Sequence, residues 1–449
     1  MIRKLLVATI LPLLCVSAMA QQSLNVELLD HWNDTLVPNN GFGATFNEVW
    51  GFVQNDEEYA VIGSSVGTHF FRITTNDEFE EITMIPGAFQ GPVVHRDYHD
   101  HNGYLYAICQ QGSSTLQIMD LQYLPDSVSV VYDSDTLFNV AHNVFVDTAM
   151  AKLYVCGPPG AAMTVYSIDD PIDPVFLGFF FETDYVHDCF VRNDTAYLNC
   201  GGQGLFVYDF SQSILFPDLL GSLTSYTDQG YNHAGWLSVD GNKYVFSDET
   251  QAMRMKVCDV SDLTDIQVQG LFNSEQDSGT VPHNVMIKED IVYVSHYNDG
   301  LQIFNVSDPT NPVKVGYYDT WLGPDDSHFK GAWGIYAFLP SGRLLISDRQ
   351  SGLYLFNFTQ PVGIADHGTE IEFSLYPNPN NGSFYLEGEA LKNDLQLALF
   401  DISGKEVWSG KNNGSERINI QTEDLNSGIY LMRLVSKSAV ETMRVLIDR

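Results

Sequence analysis

Short runs of alternating apolar and polar residues, separated by turn residues, recur along most of the chain. One complete unit extends from His283 to Thr320 and holds four such runs, HNVMI, IVYVSHY, LQIFNV and PVKVGYY. Each run is too short for a helix and is rich in Val, Ile, Tyr and Phe, which favours a β-strand. Units of four strands that recur about every 40–50 residues are typical of the blades of a β-propeller.

Seven copies of this unit align by their second strands, which begin at Tyr59, Tyr106, Tyr154, Tyr197, Tyr244, Tyr293 and Leu344. The seventh copy holds only three strands and ends near Phe358, whereas residues 24–31 resemble a strand without a partner. Blades cannot bury both faces alone, so they must close around an axis. We therefore predict an all-β, seven-bladed propeller over residues 21–358, in which residues 24–31 complete the last blade by pairing with Leu353–Phe358.

Both ends of the chain lie outside the repeats. In residues 1–20, two basic residues precede an apolar run that ends in Ala18-Met19-Ala20, which is the pattern of a cleaved secretory signal. Lipidation at Cys15 is the alternative, although the leucine before it is a poor match to a lipidation motif. After a linker predicted at residues 359–372, short strands with Asn-Gly and Ser-Gly turns predict a small β-sandwich over residues 373–449.

Composition limits the partners that the protein can have. The formal net charge of −35 argues against nucleic acid and anionic lipid as ligands. No apolar segment is long enough to predict a transmembrane helix. The cysteines beyond the signal are Cys109, Cys156, Cys189, Cys200 and Cys258. Without a C-x-x-C pair they do not predict a zinc ribbon, but a disulfide between Cys189 and Cys200 is geometrically possible, since these residues are expected on neighbouring strands.

The first strands of five copies open with histidine, at His95, His142, His187, His233 and His283. First strands are innermost in a propeller, so these imidazoles are expected in one layer around the axis. One interpretation is structural, with each histidine buried and hydrogen-bonded to the neighbouring blade. The other is a ligand or transition-metal site. Repetition favours the structural interpretation, because a catalytic site usually breaks symmetry.

Aromatic residues provide a second candidate at the axis. Trp50, Trp236 and Trp333 fall in or beside first strands, and aromatic faces at a propeller mouth suit sugar or peptide binding. Trp50-Gly51 and Trp333-Gly334 are expected to replace the histidine opening in copies one and seven. Residues 95–101, HRDYHDH, are interpreted as a loop that forms either a metal site or a solvated turn.

The C-terminal part holds a distinctive set of residues in a fixed order. They are Tyr376-Pro377-Asn378-Pro379, Gly382, Asp401, Gly404, the segment Leu425–Tyr430 with Gly428 and Tyr430, Lys437 and Arg444. This set resembles the type A sorting domain of the type IX secretion system of Bacteroidetes. The resemblance implies Sec export to the periplasm, contact with the type IX machinery and passage through the outer membrane. It also implies removal of the sorting domain, with release or attachment to surface lipopolysaccharide.

The repeat region, about residues 24–358, resembles the LVIVD-repeat proteins of the "choice-of-anchor B" type. The resemblance rests on Asn47–Phe71 and on the HN…YV…GLQIFNVSDPTNP units. It implies a propeller with a surface anchor but no particular reaction. We therefore interpret the protein as a secreted or surface-anchored binding module for a glycan or protein, and the sequence requires no cofactor. The alternative is a metal-assisted hydrolase or lyase with its site at the propeller axis.

Overall fold

The protein folds into two compact units that divide between Gln360 and Pro361 in the computed structural model. The residues that the structure describes are 23–89, 91, 93–274, 280–323, 329–360, 374–392, 395–401, 405–411, 414–422, 425–435 and 440–449. The expected signal segment lies outside them, as do all but two residues of the expected linker. Short 3-10 helices occur at Leu263–Asp265, Tyr297–Asp299 and Glu389–Lys392.

The first unit begins with strands β1 (Ser23–Leu24) and β2 (Val26–Trp32), and seven sheets follow along the chain. In the first six sheets, four consecutive strands pair antiparallel in sequential order. Blade 1 consists of β3 (Phe46–Gln54), β4 (Glu57–Ser64), β5 (Gly67–Ile73) and β6 (Phe79–Pro86). Blade 2 consists of β7 (Arg96–His101), β8 (Tyr104–Cys109), β9 (Leu116–Asp120) and β10 (Ser129–Ser134). Blade 3 consists of β11 (Asn143–Asp147), β12 (Lys152–Cys156), β13 (Met163–Ser167) and β14 (Val175–Phe180).

The remaining blades repeat this arrangement, and the last one has three strands of its own. Blade 4 consists of β15 (Asp188–Arg192), β16 (Thr195–Asn199), β17 (Leu205–Asp209) and β18 (Asp218–Leu223), and blade 5 of β19 (Asn232–Leu237), β20 (Lys243–Asp248), β21 (Met255–Asp259) and β22 (Gln267–Phe272). Blade 6 consists of β23 (Val285–Lys288), β24 (Ile291–His296), β25 (Gly300–Asn305) and β26 (Val313–Tyr318). Blade 7 consists of β27 (Ala332–Tyr336), β28 (Leu344–Asp348) and β29 (Gly352–Phe358).

The N-terminal segment closes the ring of blades. Strand β2 pairs antiparallel with β29, from Val26 opposite Phe358 to Trp32 opposite Leu353. This pairing satisfies the open edge of the last blade, which would otherwise expose unpaired backbone groups. The prediction of a seven-bladed propeller with N-terminal strand closure is confirmed. The segment also extends one blade further than expected, because β1 pairs with the outer edge of blade 6.

The innermost strands form a closed ring. Each contacts the innermost strand of the next blade, in the order β3, β7, β11, β15, β19, β23, β27 and back to β3. Both faces of an innermost strand are therefore covered by its neighbours. This corrects the interpretation of residues 95–101 as a loop, since Arg96–His101 is strand β7 and most of its side chains are buried. The polar character of this strand comes from its place at the axis rather than from contact with solvent.

Glycine at the start of the third strand has a steric cause. Gly204, Gly300 and Gly352 all have positive φ, at 90°, 71° and 100°. A Cβ on Gly352 would lie against the carbonyl oxygen of Trp32 in the closing strand. The equivalent atom on Gly204 or Gly300 would meet a carbonyl of the outermost strand of its own blade. Only glycine tolerates both the dihedral angle and the contact.

The cysteines of the propeller are all buried and unpaired by disulfide. The possible Cys189–Cys200 bridge is not formed, because Cys189 stands opposite Leu198 in the pairing of β15 with β16. Its sulfur neighbour is Cys156 in blade 3, with the two Sγ atoms 3.5 Å apart. The side chain therefore points towards the adjacent blade rather than along its own sheet.

The second unit is the predicted β-sandwich. One sheet has the order β30 (Ser374–Tyr376), β31 (Ser383–Glu387) and β34 (Arg417–Gln421). The other has the order β33 (Glu406–Lys411), β32 (Gln396–Asp401), β35 (Gly428–Val435) and β36 (Val440–Ile447). Apolar side chains from both sheets form one buried core, with Phe384, Leu399, Met432 and Val445 among its members.

Candidate functional site along the propeller axis

Six aromatic rings form a closed layer at the end of the axis where the first strands begin. The five predicted histidines supply five rings and Trp333 supplies the sixth. Adjacent ring centroids are 4.4 Å apart for His95–His142, 4.0 Å for His142–His187, 4.1 Å for His187–His233, 4.4 Å for His233–His283, 4.5 Å for His283–Trp333 and 5.6 Å for Trp333–His95. We call this set the histidine layer.

Three members of the histidine layer hydrogen-bond across blade boundaries. A ring nitrogen of His95 lies 2.5 Å from the carbonyl oxygen of His142, one of His187 lies 3.1 Å from that of His233, and one of His283 lies 2.6 Å from that of Trp333. A neutral imidazole donates such a bond through its single N–H. Burial lowers the pKa of His95 to about 4 and holds the pKa of the other four histidines well below its ordinary value. The layer is therefore uncharged at neutral pH.

A carboxylate joins the histidine layer on one side. The turn after β20 places Glu249 so that its Oε2 is 3.7 Å from Nε2 of His233 and its Oε1 is 3.9 Å from Nε2 of His283. Burial raises the pKa of Glu249 to about 7, whereas the Tyr297 hydroxyl, which donates to Oε1 at 2.5 Å, and the charge of Arg349 lower it. His187, His233 and Glu249 each offer one ligand atom within 4.8 Å of the other two.

Beneath the histidine layer is a small acidic chamber of about 50 Å³. Its polar lining includes Glu48, Asp97, Asn143, Asp188 and Asn284. Asn284 donates to Glu48 at 2.9 Å, and backbone N–H groups of Val144 and Cys189 donate to Asp97 and Asp188 at 2.7 Å. Burial raises the pKa of all three carboxyl groups, and Asp97 further raises the pKa of the other two. The pKa of Asp97 is raised to about 7.

The opposite end of the axis opens into a cup of about 550 Å³. Seven rings from six blades form its floor, and each ring contacts the next. In order around the floor they are Trp50, His99, Phe145, Phe190, Trp236, Phe338 and Tyr336, with adjacent centroids 4.5 to 5.9 Å apart. We call this set the aromatic floor. Trp236, Tyr336 and Phe338 are its half-buried members, and the other four rings are buried beneath the cup.

Polar groups surround the aromatic floor. The rim includes Asp100, His101, Asn102, Asp147 and Arg192. The indole N–H of Trp50 donates to Asp100 at 2.8 Å, and the amide of Asn102 donates to His101 at 2.9 Å. Arg192 donates to the carbonyl oxygens of Ser238 and Val239, and its guanidinium lies 5.3 Å from the centroid of Phe190. These contacts hold a carboxylate, an imidazole, an amide and a guanidinium in fixed positions around an apolar surface.

The structure separates residues that the sequence interpretation placed together. The five histidines and Trp333 lie at one end of the axis, whereas Trp50 and Trp236 lie at the other. The expectation that Trp50-Gly51 replaces the histidine opening in copy one is wrong, whereas Trp333 takes the place of a histidine between His283 and His95. Trp50 pairs with Val61, which lies three residues before the end of β4. Trp236 pairs with Val245, which lies three residues before the end of β20, so Trp50 and Trp236 occupy equivalent positions in their blades. Trp333 lies instead in a bulge between the paired residues Ala332 and Ile335.

Sequence reasoning missed Glu249, the acidic chamber and most of the aromatic floor. One signal was available for the floor, because an aromatic residue follows the histidine by three positions in three consecutive copies, at Phe145, Phe190 and Trp236. A second was available for the chamber, since Asn143, Asp188 and Asn284 each directly follow a layer histidine. Glu249 gave no such signal, since it comes from a turn rather than from a first strand.

The predicted sorting residues occupy defined places in the sandwich. Asn378, between two prolines with cis peptide bonds, donates through Nδ2 to the carbonyl of Arg444 and accepts from the N–H of Leu446. Its side chain thereby continues the sheet edge at β36. Gly382 has a φ of 98°, and a Cβ there would meet the guanidinium of Arg449. Pro377 and Pro379 precede Gly382 in the chain. Gly428 begins β35, and the hydroxyl of Tyr430 in the same strand donates to the carbonyl oxygen of Asn426. Gly404 lies outside the described residues.

Two family models match the chain. Residues 374–448 match the secretion system C-terminal sorting domain, and residues 282–320, which include blade 6, match the LVIVD repeat. No curated protein matches. Residues 282–320 therefore form an LVIVD repeat within the propeller, and the C-terminal sorting domain indicates export by the type IX secretion machinery to the cell surface or the medium. Among the described residues, no helix has the length and apolar character to cross a membrane.

Proposed function

We propose that the exported propeller is a binding module and that the cup with the aromatic floor holds a saccharide ligand. The observation that carries this proposal is the combination of seven contacting rings with a fixed polar rim in one cavity of about 550 Å³. Ligand cavities of proteins have volumes of roughly 300–1,000 Å³, with mostly apolar walls and a few placed polar groups. The cup has both properties.

A saccharide suits this surface for a chemical reason. The C–H face of a sugar ring packs on an aromatic face, while its hydroxyl groups need donors and acceptors at the periphery. The half-buried rings of Trp236, Tyr336 and Phe338 supply the aromatic faces. Asp100, Asn102 and Arg192 supply the hydrogen-bond donors and acceptors at the periphery. Burial and the nearby Asp100 raise the pKa of Tyr336, so its hydroxyl stays protonated.

The route to the surface completes the proposal. We infer cleavage after Ala20 on Sec export, contact of residues 373–449 with the secretion machinery, and removal of this region beyond about residue 370. The exposed propeller is then either released or attached to surface lipopolysaccharide. Residues 21–358 and 359–372 remain the predicted propeller and linker boundaries.

Binding is tested with the purified chain on a saccharide array, followed by calorimetry with each saccharide that binds. Trp236→Ala removes a stacking surface of the cup and should weaken binding at least tenfold, which corresponds to about 1.4 kcal/mol. Trp236→Phe should retain part of the affinity. Trp333→Phe is the matched control, because Trp333 is a tryptophan at the other end of the axis.

Two results would overturn the saccharide proposal. One is a folded wild-type chain that binds no saccharide on the array, and the other is unchanged affinity in both Trp236 variants and in Asn102→Ala. Asn102 is exposed on the rim, so its substitution should not disturb the packing of the floor. A peptide library run in parallel identifies the case in which the cup selects a peptide instead.

A further inference from the structure

We propose that His187, His233 and Glu249 form a binding site for a divalent transition metal, with zinc as the best match. One ligand atom of each residue lies within 4.8 Å of the other two, and Nε2 of His233 lies 3.7 Å from Oε2 of Glu249. Ligand atoms around a tetrahedral zinc ion are roughly 3.4 Å apart, for bonds of about 2.1 Å. The three side chains therefore need to close by roughly an ångström.

Hydrogen bonds orient two of the three ligand side chains, those of His187 and Glu249. Nδ1 of His187 lies 3.1 Å from the carbonyl oxygen of His233, so a proton there leaves the lone pair on Nε2. The hydroxyl of Tyr297 donates to Oε1 of Glu249, which leaves Oε2 towards His233. Metal-binding histidines commonly donate their second ring nitrogen to a backbone carbonyl or carboxylate, and bound carboxylates are themselves hydrogen-bonded.

The site has a route of entry for a metal ion and an open coordination position. His187 and His233 are buried, but the side chain of Glu249 keeps 17% of its surface exposed at this end of the axis. A metal ion can therefore reach the ligands from solvent along the carboxylate. Three protein ligands leave the fourth tetrahedral position to water or to an incoming molecule, which is typical of reactive rather than purely structural zinc sites.

The ligands of the site select the class of metal. It offers two imidazoles and one carboxylate. Calcium and magnesium prefer several oxygen ligands, whereas imidazole favours zinc, copper, nickel and iron. A site with two imidazoles and a single carboxylate therefore discriminates against calcium and magnesium.

The metal alone is the probe in the test. The full exported chain is freed of metal with a chelator, titrated with ZnCl₂ by calorimetry and melted with and without zinc. We expect one zinc ion per chain and a higher melting temperature with zinc. Glu249→Gln preserves the size of the side chain and an oxygen that accepts from Tyr297, but it removes the anionic ligand. It should weaken zinc binding at least tenfold, and His233→Ala should abolish it.

His95→Gln is the matched control, because His95 belongs to the same histidine layer but lies outside the group of three. This variant should melt at a lower temperature yet keep its full response to zinc. The proposal is overturned if the wild type binds no zinc, if Glu249→Gln binds it as tightly as the wild type, or if calcium binds equally well. Trp236→Ala should retain zinc binding, so the outcome is separate from that of the saccharide proposal.

Discussion

Replacing Asp97 by asparagine should make the propeller more stable at alkaline pH. Asp97 is 5% exposed in the acidic chamber, and burial raises its pKa from 3.8 to about 7. Because the folded-state pKa lies above the unfolded one, the folded protein binds this proton more tightly. The contribution of Asp97 to stability is therefore complete below pH 3.8 and is lost as the pH rises through 7.

The magnitude follows from the width of this interval. The span from 3.8 to about 7 corresponds to about 4 kcal/mol, at about 1.4 kcal/mol per pH unit. Asparagine keeps an oxygen that accepts the N–H of Val144, and it relieves the repulsion that raises the pKa of Glu48 and Asp188. We expect the free energy of unfolding of Asp97→Asn to exceed that of the wild type by about 2–4 kcal/mol at pH 8. At pH 4 the two free energies should differ by less than about 1 kcal/mol.

Urea unfolding of the full chain between pH 4 and pH 8, followed by near-ultraviolet circular dichroism, measures this difference. The buried histidines titrate in both proteins, so their effect cancels in the comparison. Asp218→Asn, on the exposed outermost strand of blade 4, is the matched control and should follow the wild-type curve. If Asp97→Asn were less stable than the wild type at pH 8, the electrostatic reasoning would be refuted.

Two further predictions concern the histidine layer and export. In urea titrations, His95→Ala should lower stability by about 2–3 kcal/mol, because no second donor to the carbonyl of His142 occurs among the described residues. His283→Ala should lower stability by only about 1–2 kcal/mol, because Ser295 still donates to the carbonyl of Trp333. Equal losses would contradict the hydrogen-bond explanation. Mass spectrometry of the surface-exposed protein should find an N-terminus at Gln21 and no peptides from the region after about residue 370, and an intact C-terminus would rule out the proposed processing.

The architecture could be predicted because it depends on local patterns. The alternation within each strand, the glycine before the third strand and the missing strand of the last copy were sufficient for seven blades and their closure. The axial chemistry depends on the register between strands, which a single bulged residue changes. The shared Trp-Gly dipeptide therefore made Trp50 look equivalent to Trp333, although the two lie at opposite ends of the axis.

Burial at the axis also reverses a common rule of sequence interpretation. A run such as HRDYHDH is dense in ionisable groups, which usually indicates contact with solvent. In β7 these groups face the axis and the neighbouring blades, where Val144 donates to Asp97 and Trp50 donates to Asp100. The polarity of an innermost strand reports contacts between blades, and those contacts are not visible from a single copy of the repeat.

Repetition distinguishes structural from functional groups along this axis. His95, His187 and His283 each bond to a carbonyl of the next blade, through Nε2 in His95 and Nδ1 in the other two, as expected for contacts that stabilise the ring. Glu249 approaches the histidine layer from a single blade, and Arg192 and Asn102 each approach the cup from a single blade. In the saccharide and zinc proposals, these departures from symmetry supply the chemical specificity at each end. Since the acidic chamber of about 50 Å³ separates the two ends, substitutions at one should leave the chemistry of the other intact.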